Sequence, residues 1–302
     1  MPPPDLGFER ELAREVGGVV AGIDEAGRAP LAGPVMAAAV VLPADAGDEP
    51  RLDGLTDSKL LSADQRERLF PEILALGQVG VGAASAAEID RVNIHNATLL
   101  AMCRAAAALP AAPDAVLVDG RSAPPIPCPV RTVIGGDRRC LSVAAASVVA
   151  KVVRDRLMTR LAIRYPGYGW ETNKGYGTEE HALALLRLGP TRHHRLTFAP
   201  LPEIVDRPGL GMRFVACTGP VRIGTMTLVR LREDLYLACD ARSRHVGTLK
   251  RTASRWLFRA IGYDADGAPQ TGAGPLADRD GRSVDAPADA ALRLALSRRR
   301  RG

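Results

Sequence analysis

The chain of 302 residues suits one large domain or two smaller ones, and its 46% hydrophobic content is ordinary for a globular protein. It has no run of 18 or more apolar residues, which argues against a membrane span, and residues 1–5 lack the features of a secretory signal peptide. The five cysteines are scattered without a C-x-x-C pair, so we expect reduced thiols in a cytoplasmic protein, not a disulfide framework or zinc site.

The formal charge of +6 is concentrated in the C-terminal third of the chain. Residues 1–202 contain 22 Lys and Arg against 23 Asp and Glu, whereas residues 203–302 contain 18 against 11. A basic region is what a polyanion partner would need, although a solvated surface has the same composition. The charge by itself leaves both interpretations of residues 203–302 open.

Apolar runs with strand and helix spacing alternate along residues 17–202. Strands are predicted at 19–23, 35–42, 79–85, 115–118 and 130–134, and helices at 62–76, 87–109, 141–164 and 179–188. This alternation predicts an α/β layer fold. We therefore divide the chain into an N-terminal segment, 1–16, a folded domain, 17–202, and a C-terminal extension, 203–302.

The extension differs from the domain in composition. Residues 221–231 and 235–239 are predicted to form two strands of a hairpin, and residues 253–261 a short amphipathic segment. Residues 262–290 are rich in Gly, Ala, Asp and Pro, which predicts disorder. The chain ends in a basic tip, residues 298–301, that we expect to be mobile.

Acidic residues stand at the ends of several predicted elements. Asp24 and Glu25 follow the first strand, Asp119 follows the strand at 115–118, and Asp137 precedes the long helix. Carboxylates at such positions can converge at one edge of a sheet and bind Mg²⁺ or Mn²⁺ through oxygen. Two such ions can activate a water molecule and stabilise the leaving oxygen of a phosphodiester. Singly, each acid is also explained as a cap, a turn residue or a solvated charge.

The motifs around these acids resemble those of ribonuclease HII, the type 2 ribonucleases H. Six ordered segments carry the resemblance: GIDEAGRAPLAGPV at 22–35, TDSKLLS at 56–62, VDG at 118–120, GD and LSVAAASVVAKVVRD within 136–155, NKGYGT at 173–178, and GP and HR within 189–195. An isolated D-E-A-G-R would be weak evidence, whereas six segments in order are specific. The resemblance covers residues 17–202 and implies a ribonuclease H-like mixed central sheet flanked by helices.

The resemblance implies an endonuclease, a ribonuclease H, that hydrolyses the RNA strand of RNA–DNA hybrids by two-metal-ion catalysis with Mn²⁺ or Mg²⁺. The products would carry 3′-hydroxyl and 5′-phosphate ends, and duplex DNA with embedded ribonucleotides would be a second substrate. By position, Asp24, Glu25, Asp119 and Asp137 match the family's catalytic, metal-binding carboxylates. A monomer is the expected oligomeric state.

The resemblance also implies substrate contacts. Gly27, Arg28 and Ala29 match a G-R-G tripeptide that contacts the 2′-hydroxyl and the scissile phosphate, and Tyr176 matches a tyrosine that stacks near the deoxyribose at the RNA–DNA junction. Four further residues lie in segments that approach the substrate backbone: Lys59, Ser147, Lys151 and Lys174.

One position departs from the family pattern, because the second glycine of G-R-G is Ala29 here. Glycine permits positive φ and close backbone approach, so the methyl group is predicted to crowd the 2′-hydroxyl contact that distinguishes RNA from DNA. Two alternatives follow: an active enzyme with altered recognition of single ribonucleotides, or a catalytically weak hybrid-binding protein. A third is that residues 203–302 add a protein-binding or hybrid-binding function of their own.

Overall fold

The computed structural model describes residues 2–199, 201, 221–223, 226–232, 235–239, 245–252, 255–263, 269–272 and 276–284. The chain divides into two compact units, one formed by Met1–Arg28 and Gly33–Met158, the other by Ala29–Ala32 and Thr159–Gly302. None of the helices in this described part is both long and apolar enough to cross a membrane.

A five-stranded mixed sheet forms the centre of the first unit. Its strands are β1 (Val20–Ala26), β2 (Val35–Val41), β3 (Gln78–Ala84), β4 (Ala115–Asp119) and β5 (Val130–Val133), in the order β3-β2-β1-β4-β5. β1 pairs antiparallel with β2 and parallel with β4, and β4 continues in parallel with β5. The predicted α/β fold with a mixed central sheet is confirmed.

The helices follow the predicted order, with two additions. They are α1 (Gly7–Val16), α2 (Ala63–Leu76), α3 (Ala86–Ala107), α4 (Leu141–Arg164), α5 (Trp170–Asn173) and α6 (Glu179–Leu188). Capping boxes at Ser62 and Ser85 start α2 and α3, because each serine hydroxyl accepts from the backbone three residues later. The sequence predictions included no helix at α1, which lies in the N-terminal segment, or at α5, whose single turn is too short to show helical periodicity.

The long helix α4 packs closely against β1. A Cβ placed on Gly22 of β1 would lie 2.3 Å from the carbonyl carbon of Ser142 and 2.4 Å from the amide nitrogen of Val143. Only glycine permits this approach. The side chain of Glu9 on α1 holds the same end of α4, accepting from the Ser142 amide at 2.8 Å and the Ser142 hydroxyl at 2.6 Å. The start of α4 is therefore fixed from two sides.

The second unit contains a further sheet built from the extension. Its strands are β6 (Val221–Ile223), β7 (Met226–Arg232), β8 (Leu235–Cys239), β9 (His245–Arg251), β10 (Trp256–Tyr263), β11 (Pro269–Thr271) and β12 (Ser283–Val284). The predicted hairpin is confirmed as β7 paired with β8, but the single strand predicted at 221–231 is two paired strands. The amphipathic segment at 253–261 contains the start of β10, which pairs with the unpredicted β9.

The predicted disorder of residues 262–290 was wrong for the residues that the structure describes. Residues 262–263 complete β10, and β11 and β12 both pair with that strand, with a 3₁₀ turn at Ala277–Arg279 between them. The sheet buries Leu228, Leu249, Trp256 and Phe258 in one cluster, and all four precede residue 262. The described residues of 262–290 are therefore ordered by pairing with β10, not by an apolar pattern of their own. The basic tip, residues 298–301, lies outside the described residues.

Candidate active site

Two of the predicted carboxylates, Asp24 and Asp119, lie where the parallel pairing of β1 with β4 ends. The strand predicted at 19–23 continues through Asp24 and Glu25 to Ala26, because these residues still pair with β2. Ile23 of β1 is aligned with Val118 of β4, so Asp24 and Asp119 are the next residues in register. Aligned residues of neighbouring strands project to the same face of a sheet. The pairing of β1 with β4 therefore brings together two acids that are far apart in sequence.

A hydrogen bond ties the third carboxylate to this edge. The Gly136 amide donates to Oδ1 of Asp119 at 2.7 Å, and Asp137 follows in the 3₁₀ turn Gly136–Arg138 that precedes α4. Gly135 opens this turn with φ of +67°, a backbone conformation that favours glycine. The turn thus presents Asp137 to the carboxyl end of β4.

The carboxylates repel one another because they lie close together and are largely shielded from water. Asp24 is only 5% exposed, and its pKa is raised well above its usual value by burial and then by the charges of Glu25, Asp119 and Asp137. The pKa of Asp137 is raised to about 7 by burial and then by Asp119. The four predicted catalytic acids therefore form one electrostatically coupled group, which costs stability unless a cation compensates it.

Three cationic side chains accompany this group. Burial of Lys59 opposes its charge, but the nearby Asp24, Asp57 and Asp137 outweigh burial and raise its pKa. Arg28 donates to Oε1 of Glu25 at 3.4 Å. The Arg138 Nε lies 3.4 Å from Oδ2 of Asp57 and 4.0 Å from Oδ1 of Asp137.

Asp57 is a buried acid of this region that sequence reasoning did not select. It is 1% exposed, and its Oδ1 accepts from the Lys59 amide at 2.9 Å. The segment TDSKLLS at 56–62 contributes Lys59 to the predicted substrate contacts. No apolar strand precedes Asp57, so the sequence does not identify it as an acid at a strand end. Its neighbour Ser58 is held from α4, since the Ser147 hydroxyl donates to Ser58 Oγ at 2.8 Å. Ser147 is 2% exposed, so the structure places it beneath the loop that carries Lys59.

The tripeptide 27–29 divides between the two units, and its glycine requirement lies at its first position. Gly27 has φ of +92°, and a Cβ there would lie 1.9 Å from Nε of the buried Arg154. Ala29 is not among the residues with positive φ. A methyl group at position 29 therefore causes no left-handed backbone strain. The predicted crowding of the 2′-hydroxyl by this methyl group does not depend on the backbone conformation and stays a prediction.

The donor set fits a divalent cation in its chemistry. The acids supply oxygen ligands, and a divalent cation among them would relieve the repulsion that raises their pKa values. Among the described residues, no three Asp, Glu, His or Cys side chains lie close enough together to hold a metal ion in the present arrangement.

The other predicted substrate residues have hydrogen-bond partners of their own. Lys151 donates to Oδ1 of Asp155 at 2.9 Å, one turn further along α4. In the second unit, the Lys174 ammonium donates to Thr159 Oγ1 at 2.7 Å and to the Glu171 carbonyl at 2.6 Å. The Tyr176 side chain is 42% exposed.

Two buried histidines of the second unit, neither of which was predicted as a site residue, lie close together. His181 and His194 are 0% and 2% exposed, and their Nε2 atoms lie 2.9 Å apart. Burial lowers the pKa of His181 to about 4, and burial with the charge of His181 lowers that of His194 to about 3. Both rings are therefore neutral at physiological pH.

Comparisons with known proteins agree with the sequence motifs. The model of the family described as Ribonuclease HII matches residues 21–200. Ribonuclease HII of Granulibacter bethesdensis is 56% identical over 197 residues, which are 64% of this chain and 90% of that protein. Ribonuclease HII of Rhodospirillum rubrum is 56% identical over 209 residues, 68% of this chain and 94% of that protein.

Solved structures show the same fold. The ribonuclease H2 from Pyrococcus horikoshii OT3 matches with a TM-score of 0.54 and 26% identity, over 62% of this chain and 96% of that one. Bst-RNase HIII, solved in complex with Mn²⁺, matches with a TM-score of 0.50 and 22% identity, over 62% of this chain and 68% of that one. The chain belongs to the ribonuclease HII family and is a ribonuclease H.

Proposed function

We propose that this chain hydrolyses the RNA strand of RNA–DNA hybrids as an endonuclease and leaves 3′-hydroxyl and 5′-phosphate ends. Duplex DNA with embedded ribonucleotides is a second substrate, and the enzyme acts as a monomer in the cytoplasm. The observation that carries the proposal is the mutual repulsion of Asp24, Glu25, Asp119 and Asp137, which gather near the point where the parallel pairing of β1 with β4 ends. Like charges gathered at a sheet edge are costly and are a mark of function.

The four acids are the proposed holders of two divalent ions, Mg²⁺ or Mn²⁺. When bound, two such ions supply an activated water and stabilise the leaving oxygen of a phosphodiester. Asp24 lies at the centre of the group, because its pKa responds to each of the other three acids. Asp119 and Asp137 are held by the turn whose Gly136 amide bonds Asp119, so their spacing is set before substrate arrives.

Neighbouring cations are proposed to hold the phosphate backbone. Lys59 responds electrostatically to Asp24 and Asp137, which supports a position beside the scissile phosphate. Arg28 donates a hydrogen bond to Glu25, which restricts the orientation of its side chain. The remaining proposed substrate contacts come from the family motif, namely Ala29, Lys151, Lys174 and Tyr176. The buried Ser147 is proposed to act indirectly, by holding Ser58 in the loop that carries Lys59.

The proposal is tested by cleavage of a labelled hybrid with Mg²⁺ or Mn²⁺, with mapping of the product ends. Asp24→Asn should lower the rate on the order of 10³-fold, because bound metal supplies several kcal/mol of transition-state stabilisation. Asp48→Asn, which neutralises an exposed acid in a 3₁₀ turn outside the group, should cleave at the wild-type rate.

The same assay separates an enzyme from a hybrid-binding protein. If wild type and Asp24→Asn are equally inert with both metals while the hybrid is still bound, the catalytic proposal fails and the binding alternative stands. Products with 3′-phosphate ends would reject the proposed end chemistry.

A further inference from the structure

The buried histidine pair has a single consistent arrangement of protons. The Thr191 amide donates to Nδ1 of His194 at 2.8 Å, so this nitrogen carries no proton and the neutral ring carries its proton on Nε2. The Trp170 Nε1–H donates to Nε2 of His181 at 3.1 Å, so that nitrogen is an acceptor. His194 therefore donates to His181 across the 2.9 Å contact.

This series of hydrogen bonds ends at a backbone carbonyl. Because Nε2 of His181 accepts, its proton is on Nδ1, which lies 2.9 Å from the carbonyl oxygen of Tyr176. His181 thus donates to Tyr176. We define the chain of bonds from Thr191 through His194 and His181 to the Tyr176 carbonyl as the histidine relay.

The backbone on the other side of Tyr176 is fixed as well. The Tyr176 amide donates to the Asn173 carbonyl at 2.9 Å, and Gly175 donates to Oδ1 of Asn173 at 2.8 Å. Lys174 and Gly175 both have positive φ, at +50° and +87°. The Gly175 carbonyl accepts from the Leu31 amide at 2.8 Å. The loop is therefore held in a conformation that a free segment would rarely adopt.

We propose that His181 and His194 are positioning residues, and that the histidine relay fixes the Tyr176 backbone so that its exposed ring is preorganised to stack on the sugar of the bound hybrid. This inference rests on the proposed function, in which Tyr176 contacts substrate. Preorganisation lowers the entropy lost on binding, so the relay should act on substrate affinity more than on the chemical step.

Two substitutions of His181 distinguish a role in the histidine relay from a role in core packing alone. Asparagine places an amide near the position of Nδ1 and can still donate to the Tyr176 carbonyl, but it no longer accepts from Trp170 and His194. Glutamine places an amide near the position of Nε2, where it can accept from Trp170 and His194 but no longer reaches Tyr176. Both remove the buried ring, so both should lower thermal stability, whereas only His181→Gln breaks the last bond of the relay.

The experiment measures KM and kcat for hybrid cleavage by both variants, alone and combined with Tyr176→Ala. His181→Gln should raise KM about three- to tenfold with a smaller change in kcat, as expected for one lost hydrogen bond. His181→Asn should stay closer to wild type. In the Tyr176→Ala background, His181→Gln should cause no further rise in KM.

Equal KM changes in the two variants, or additive effects with Tyr176→Ala, would overturn the relay. If neither variant folds, His194→Gln and His194→Asn repeat the comparison, since only the glutamine can still donate toward His181; equal KM values for that pair would also overturn it. Failure of the proposed function is distinct, because wild type would then show no cleavage at all.

Discussion

The carboxylate group and the histidine relay are two buried clusters of titratable side chains with opposite character. Around Asp24, charges of one sign face each other and raise the pKa values of the acids. Around His181, each ring nitrogen has a hydrogen-bond partner, and burial lowers the pKa values. A cluster whose charges repel one another favours binding of an ion of opposite charge. A cluster whose polar atoms all have hydrogen-bond partners instead stabilises one conformation. The difference leads to four predictions.

Divalent metal should stabilise the folded protein by binding the carboxylate group. Mn²⁺ at a hundredfold excess over its Kd should stabilise the wild type by about 2.7 kcal/mol, because it binds the folded state. Asp24→Asn should lose most of this gain. Thermal unfolding with and without Mn²⁺ measures both, with Asp48→Asn as the matched control. Equal stabilisation of all three proteins would mean that the metal binds elsewhere.

Without metal, Asp24→Asn should make the protein more stable. The asparagine oxygen can still accept from the Glu25 amide, as Oδ1 of Asp24 does at 2.7 Å, while the repelling charge is removed. We therefore expect the free energy of unfolding to rise at neutral pH by roughly 0.5–2 kcal/mol, the usual range for a stabilising substitution. Urea unfolding in EDTA measures this gain, and a less stable variant would contradict the repulsion.

The histidine pair should destabilise the fold in acid. The unfolded chain takes up protons near pH 6.5, while folded His181 resists protonation down to about pH 4, so the unfolded state binds more protons in this window. Stability therefore falls as pH decreases from 6.5 to 4, by up to about 1.4 kcal/mol per pH unit for each histidine. The acids act in the opposite direction, because the raised pKa of Asp137 removes stability as pH rises through about 7.

Comparison of variants isolates the histidine contribution. His194→Gln should lessen the dependence of unfolding free energy on pH between 4 and 6.5, whereas His95→Gln, at an exposed site on α3, should leave it unchanged. Denaturation at several pH values provides the measurement. An unaltered pH dependence in His194→Gln would show that this ring is not held neutral.

The smallest effect is expected at position 29. Ala29→Gly should raise cleavage of a duplex with one ribonucleotide relative to cleavage of a long hybrid by a few-fold, since the methyl group would contact the 2′-hydroxyl. The ratio of the two rates cancels differences in enzyme preparation. Because Ala29 does not have positive φ, glycine relieves no strain there and should lower the free energy of unfolding by about 0.4–1 kcal/mol through the greater freedom of the unfolded chain. An unchanged ratio would remove any role of the methyl group in ribonucleotide recognition.

The sequence alone predicted the strands of the central sheet, most of the helices and the family, and it proposed the four acids as a metal site. Short apolar runs that lead into Asp24 and Asp119 carry a strong local signal, and the ordered motifs predicted the family that the comparisons confirm. The extension was harder, since β9 to β12 gain their stability from pairing with one another and not from a local pattern. The disorder predicted there was wrong for the described residues for this reason.

Only the tertiary structure decided how distant residues combine. The register of β1 against β4 aligns Asp24 with Asp119, and no spacing in the sequence reveals that alignment. The same holds for the histidine relay, because a proton's position on His181 depends on the indole of Trp170 and on His194. Residue type and order are local information, whereas burial, repulsion and the direction of hydrogen bonds arise only when the chain folds back on itself.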